Sequence, residues 1–195
     1  MLVYLVVFNH IPQKKSKNYK FYLPDTFAPY PDAYPKEVKL FQEFNLTLTK
    51  DNKAKSRKIQ LKSIWDFFYL FYKGIVAKRS AIRAIIHIIK EKINPKYKSR
   101  RSIIQNVLSF KIYLKYLYKY QPSFSTYFTN HVAGMMHRYW KNLYPGDFGL
   151  RKNEVDEFHS KSVIKAMHLA DKNLKDLIIF AKKKNYELLV ISSMG

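Results

Sequence analysis

Ser123–Thr129 reads SFSTYFT and Glu187–Ser192 reads ELLVIS, and these two short runs decide the fold. The first alternates enough for a short strand, and the second is a hydrophobic strand that follows the helix stop Asn185-Tyr186. Between them, His131–Asn142 turns into a helix and Tyr144–Phe148 (YPGDF) makes a turn. Val155–Lys184 is a long helix, with Val163, Met167, Ala170, Leu174, Leu177, Ile178 and Ala181 on its buried side. Strand, long helix and second strand form a βαβ unit, whose strands lie parallel. The expected class is therefore α/β: helix-rich, with a small, incomplete parallel sheet in the C-terminal third.

Upstream, Met1–Phe8 (MLVYLVVF) reads as a buried strand and Asn9–Asn18 as a polar, basic surface loop. Leu23–Pro35 holds four prolines, each fixing φ and removing a donor, so the segment is extended and irregular. Glu37–Thr49 is helical, with Val38, Phe41, Phe44, Asn45 and Leu48 at near-helical spacing, and Lys50–Lys58 is a charged connector. Ile59–Ile93 is the strongest helical region, with a break at Gly74. Ile82, Ile85, Ile86, Ile89 and Ile93 make one apolar stripe, and Asn94-Pro95 ends the run. Ser102–Tyr120 is a further helix, with Ile103, Val107, Phe110, Leu114 and Leu117 on one side and the row Lys111, Lys115, Lys119 on another. The organisation is residues 1–58 (strand, proline-rich segment, short helix), 59–120 (basic helices) and 121–195 (the βαβ segment), all parts of one larger domain.

The chain has 195 residues, of which 47% are hydrophobic, which excludes a disordered polar chain. It has no cysteine, so a disulfide-linked partner, a thiol nucleophile and a thiolate metal site are excluded. The net charge of +22 points to a polyanion: nucleic acid, a phosphorylated substrate or an anionic membrane. Lysine supplies 29 of the 36 basic residues and arginine only 7, although arginine is the better bidentate phosphate ligand. Lys, Ile, Tyr, Phe and Asn share AT-rich codons, so coding bias is an alternative source of the lysine excess. No stretch reaches the ~20 apolar residues of a spanning helix. The first eight residues lack the basic start of a signal peptide, which points to the cytoplasm.

Ligands of open α/β sheets gather at the carboxyl ends of strands. That rule singles out Asn130 and His131 after the first strand, and Ser192 and Ser193 at the end of the second. His137 follows His131 by six residues and joins its pocket if a turn lies between them. His137 and His131 are candidate metal ligands. Asn130, Ser192 and Ser193 are candidate anion-binding groups, through amide, hydroxyl and backbone N–H. The structural alternatives are a His137 packed beside Tyr139 and Trp140, helix capping by Asn130 or His131, and a plain strand exit at the serines. His159 and His168, nine apart on the long helix, face different directions.

The run FTNHVAGMMHRYW (Phe128–Trp140), followed by the long helix and LLVISSMG (Leu188–Gly195), resembles the alkaline-phosphatase-like superfamily, in particular its type I phosphodiesterase/nucleotide pyrophosphatase branch. There a strand leads to an Asp and then a His followed by aromatics, and after a long helix an apolar strand ends in Ser-Asp-His-Gly. His137-Arg138-Tyr139-Trp140 is similar to the first element, and Leu189–Gly195 to the second. The resemblance covers roughly residues 121–195. It implies metal-dependent hydrolysis of phosphate or sulfate esters of small molecules with two divalent ions (Zn or Mn). Ser193 and Met194 stand where that family carries metal-binding Asp and His, and no Asp precedes His137 at the expected place. Methionine is too soft to replace imidazole at a hard divalent ion. Asp25-Thr26 matches the family's nucleophile strand over two residues only. The expectation is a fragment or degenerate member that has not retained the metals and is inactive alone. The alternative, from another class, is a non-enzymatic basic helical module over 59–120 that binds nucleic acid or anionic membrane.

Overall fold

The computed structural model describes residues 4–7, 19–24, 28–50 and 68–192, with the side chains of 4–7 and 47–50 excepted. The loop read at 9–18, the connector after residue 50, residues 59–67 of the long helical region, Asp25-Thr26 and the 193–195 tip lie outside the described residues. The chain forms two compact units, Met1–Asn130 and His131–Gly195. The strand at 124–127 falls in the first unit.

The first unit contains strands β1 (Tyr4–Val7) and β2 (Phe21–Leu23), helices α1 (Lys36–Lys50), α2 (Lys78–Ile93) and α3 (Arg101–Tyr120), and strand β3 (Phe124–Tyr127). β1 pairs in parallel with both of the others, giving the order β2-β1-β3, with Leu5 opposite Phe21 and Val6 opposite Thr126. Tyr22 and Tyr34 exchange two backbone hydrogen bonds of 2.8 Å, which pin the proline-rich segment beside β2. The core gathers Phe21 and Leu23, Val38 and Phe41 of α1, and Leu108 and Phe110 of α3. The Phe21 ring stacks on Tyr116 at 4.4 Å. Helix α1 is tied to α3 by a buried amide chain: Gln105 Nε2 donates to Asn45 O (3.1 Å) and Oδ1 (3.2 Å), and Asn45 Nδ2 donates to Gln42 Oε1 (3.3 Å).

Breaks fall where the sequence places them. Gly74 takes φ +65, which a residue with a Cβ adopts only with strain, after a helical turn over 68–72. α2 stops at Ile93; Asn94 Oδ1 then accepts from Lys96 N (3.0 Å), and a 3-10 helix (Pro95–Arg100) follows.

α2 overturns an expectation. Four of the five isoleucines of its stripe face outward: Ile82, Ile86, Ile89 and Ile93 are 45% to 79% exposed, and Ile85 is half-buried. The buried face carries Ser80, Ala81, Ala84, His87 and Glu91. The physical reason is Glu91. Arg101 grips it bidentately, with Nε 3.0 and 3.1 Å from the two carboxylate oxygens and Nη2 2.8 Å from Oε2. His87 Nε2 lies 2.9 Å from Oε1. Turning the isoleucines inward would pull this carboxylate off the Arg101 guanidinium.

β3 repeats the inversion on a smaller scale. Tyr113 and Ser125 share a hydroxyl hydrogen bond of 2.6 Å. Asn106 Nδ2 donates to Tyr127 Oη (2.8 Å) and Thr129 Oγ1 (2.7 Å). Ser125, Tyr127 and Thr129, two apart, therefore face α3, while Phe124 and Phe128 are exposed.

The second unit packs α4 (His131–Leu143) on α5 (Glu157–Lys184), with Met135, Val163, Ala166 and Phe180 buried. Of the expected buried side of α5, Val163 and Ala181 are buried, Met167, Ala170, Leu174 and Leu177 are half-buried, and Ile178 is exposed. Asn185 ends the helix in the left-handed region, φ 56. The strand expected at Glu187–Ser192 does not form. Residues 186–192 carry no regular structure, and Leu189, Val190 and Ile191 are at least 70% exposed. A strand needs an edge to pair with, and among the described residues this unit holds no other strand. The expected βαβ ladder between SFSTYFT and ELLVIS is thus absent, and β3 pairs with β1 instead. Among the described residues no helix is long and apolar enough to cross a membrane.

Burial alone raises the Glu91 carboxyl pKa, but the neighbouring His87 and Arg101 outweigh it and hold the pKa at about 2, below the usual 4.5. A depressed acid stabilises the fold above its unfolded pKa, and that contribution disappears as pH falls from about 4.5 to about 2. It amounts to about 3 kcal/mol. Arg101→Met should cost about 3–5 kcal/mol in urea unfolding at neutral pH, because it strands a buried charge, and Glu91→Leu/Arg101→Met should recover most of that loss.

Candidate functional site

Of the residues singled out from sequence, His131 and His137 do not converge. Asn130 is the exposed last residue of the first unit. His131 and His137 both lie on α4, an unbroken helix with no turn between them. Six residues rotate the chain by about 240°, so the two imidazoles leave on different faces. This corrects the shared pocket expected for them. His131 is buried and His137 exposed. Ser192 is exposed, and Ser193 lies outside the described residues.

His131 has the environment of a packing residue. Its Nε2 lies 3.1 Å from the Ala166 carbonyl oxygen of α5, joining the two helices of the unit where Met135 and Ala166 are buried. Burial disfavours the imidazolium most and the Ala166 carbonyl favours it less, so the pKa drops to about 4 from 6.5. A neutral, buried ring engaged at Nε2 with a backbone carbonyl is placed to join two helices, out of reach of solvent.

A different cluster, outside the residues singled out from sequence, forms where α5 begins. Asp156 Oδ1 accepts from the backbone N–H of His159 (3.2 Å), capping the helix, and its Oδ2 lies 3.1 Å from His159 Nδ1. The backbone N–H of Asp156 donates to Asn142 Oδ1 (2.8 Å), fixing the cap against the end of α4. The Tyr139 ring lies flat on His159, centroids 4.1 Å apart and planes 6° apart. A carboxylate at Nδ1 favours the Nδ1–H tautomer and leaves Nε2 as the lone-pair nitrogen, the arrangement of an oriented base or ligand. Its trace in the sequence is Asp156-x-x-His159 at the start of a helix.

Among the described residues no three His, Asp or Glu side chains come together as a metal ion requires. The concavity along α5 between His168 and Ile179 is lined by that helix alone and is open to solvent. No family profile, curated protein or solved structure matches the chain.

The depressed His131 pKa has a definite sign. The fold favours the neutral ring, so its stabilisation is complete above pH about 6.5 and falls away as pH drops to about 4. The loss at the lower end is roughly 3 kcal/mol. Urea midpoints of the second unit, followed by Trp140 fluorescence, should fall over that window, and His131→Gln should flatten the dependence. A titration of the His131 ring proton with a midpoint near 6.5 would contradict the buried assignment.

Proposed function

We propose that the chain is a fragment or degenerate member of the alkaline-phosphatase-like phosphodiesterase/sulfatase superfamily, an α/β scaffold inactive as an isolated chain. The observation that carries this reading is the parallel pairing of β3 with β1, with the chain passing from β3 through Phe128–Asn130 into a helix that bears His137-Arg138-Tyr139-Trp140. Parallel strands that feed helices are the setting in which such hydrolases place ligands. The ancestral reaction is hydrolysis of a phosphate or sulfate ester by a pair of Zn or Mn ions, which clamp the attacking and leaving oxygens.

Among the described residues no donor set fits such a pair: His131 is buried and engaged with Ala166, and no carboxylate there pairs with His137 as a two-metal clamp needs. No step is therefore assigned to a metal. His137 is the residue through which residual affinity for a divalent ion would act, since it is exposed and follows the superfamily's His-aromatic pattern.

Purified chain with added Zn²⁺ or Mn²⁺ should hydrolyse bis(p-nitrophenyl) phosphate and p-nitrophenyl sulfate no faster than a metal-only blank. Turnover abolished by His137→Ala would reverse the inactive part of the reading. Interstrand NOEs of the parallel pattern are expected between Val6 and Thr126, and an antiparallel pattern or no contact would remove the scaffold part.

A further inference from the structure

α2 presents an unusual outer face. Ile82, Ile86, Ile89 and Ile93 fall within about 60° of arc at 100° per residue and extend along roughly 16 Å of helix. All four are exposed. The buried residues Ser80, His87 and Glu91 lie on the opposite side, so this ridge is the part of the helix furthest from the core. Exposed cations border it on both flanks, with Arg79, Arg83 and Lys90 on one and Lys78 and Lys92 on the other. From residue 68 to residue 130 the chain carries thirteen Lys and Arg and a single acid, Glu91. Glu91 is buried against Arg101, so no carboxylate in that stretch is available to repel an anion.

We propose that this face of α2 seats the protein on an anionic lipid bilayer, lying in the interface plane with its isoleucines among the upper acyl chains and its cations on the headgroup phosphates. Charge complementarity selects an anionic partner, and the isoleucine ridge selects lipid over nucleic acid. A nucleic acid offers phosphates for the flanks but no hydrocarbon for the ridge, whereas a bilayer offers both at the spacing of one helix diameter. The helical turn 68–72, immediately upstream, exposes Phe68, Tyr69, Phe71 and Tyr72, the aromatic side chains that favour the headgroup level. The helix is too short and too charged to span, so the mode is peripheral. Nothing in this face depends on phosphoester chemistry.

The test is co-flotation of the intact chain with phosphatidylcholine vesicles containing roughly a third phosphatidylserine, with pure phosphatidylcholine vesicles and a heparin column alongside. Binding is expected to the anionic vesicles only and to weaken steeply with salt. Ile86→Ser/Ile89→Ser, both at exposed positions, should lower vesicle affinity at least about tenfold while leaving heparin elution unchanged. Arg79→Glu/Arg83→Glu should lower both. Three results overturn the proposal: no flotation of the wild-type chain, vesicle binding untouched by the isoleucine pair, or a dimer in analytical ultracentrifugation that the same pair dissolves. The last would assign the ridge to a second copy of the chain.

Discussion

A carboxylate taken out of water has to be held by cations or strong donors, and Glu91 is held by the fork of Arg101 with His87 alongside. That requirement sets the rotation of α2. Ser80, Ala84 and His87 turn inward together with Glu91, because they share its face, and the isoleucines go to solvent. It also fixes the path of the chain after α2. The 3-10 helix over Pro95–Arg100 brings Arg101, the first residue of α3, back to a carboxylate ten positions earlier. Removing both partners together is tolerable in principle; removing one is not, and this asymmetry makes the pair a register device more than a source of net stability.

Polar groups direct the other junctions of the first unit in the same way. Gln105 reads Asn45 across to α1, and Asn106, one residue on, reads Tyr127 and Thr129 across to β3. Consecutive residues of α3 thus address two different elements through side-chain amides. Apolar packing, with Phe21, Phe41 and Phe110 fully buried, fills the core, while these amides choose which neighbour goes where.

How much was legible in the sequence follows from this division. Helix limits were readable because their signals are local: Asn94-Pro95 ends α2, Gln121 ends α3 in the left-handed region and Asn185 does the same for α5. The buried side of α3 was also readable, since Ile103, Val107, Phe110 and Leu117 obey helical periodicity and are buried, with Leu114 half-buried. The orientation of α2 was not, because periodicity weighs isoleucine above a lone Glu91, and the deciding partner lies across a turn. β3 was found as a strand but given the wrong neighbour, as pairing is a long-range choice that alternation does not encode. In the candidate site, six-residue spacing on what proved to be a continuous helix separated His131 from His137. The Asp156–His159–Tyr139 cluster needs the α4–α5 packing before it exists at all.

The run Leu188–Ile191 bears on how the protein behaves at high concentration. Four successive apolar residues, exposed and without regular structure, are the kind of surface that pairs edge to edge with identical copies as concentration rises. Lys182, Lys183 and Lys184 close α5 just ahead of it and act as gatekeepers, since stacking the segment would also stack their charges. Such protection is Coulombic and fades as ions screen it, so colloidal stability here is tied to dilute electrolyte. High salt or polyanionic additives disarm the gatekeepers without touching the folded helices.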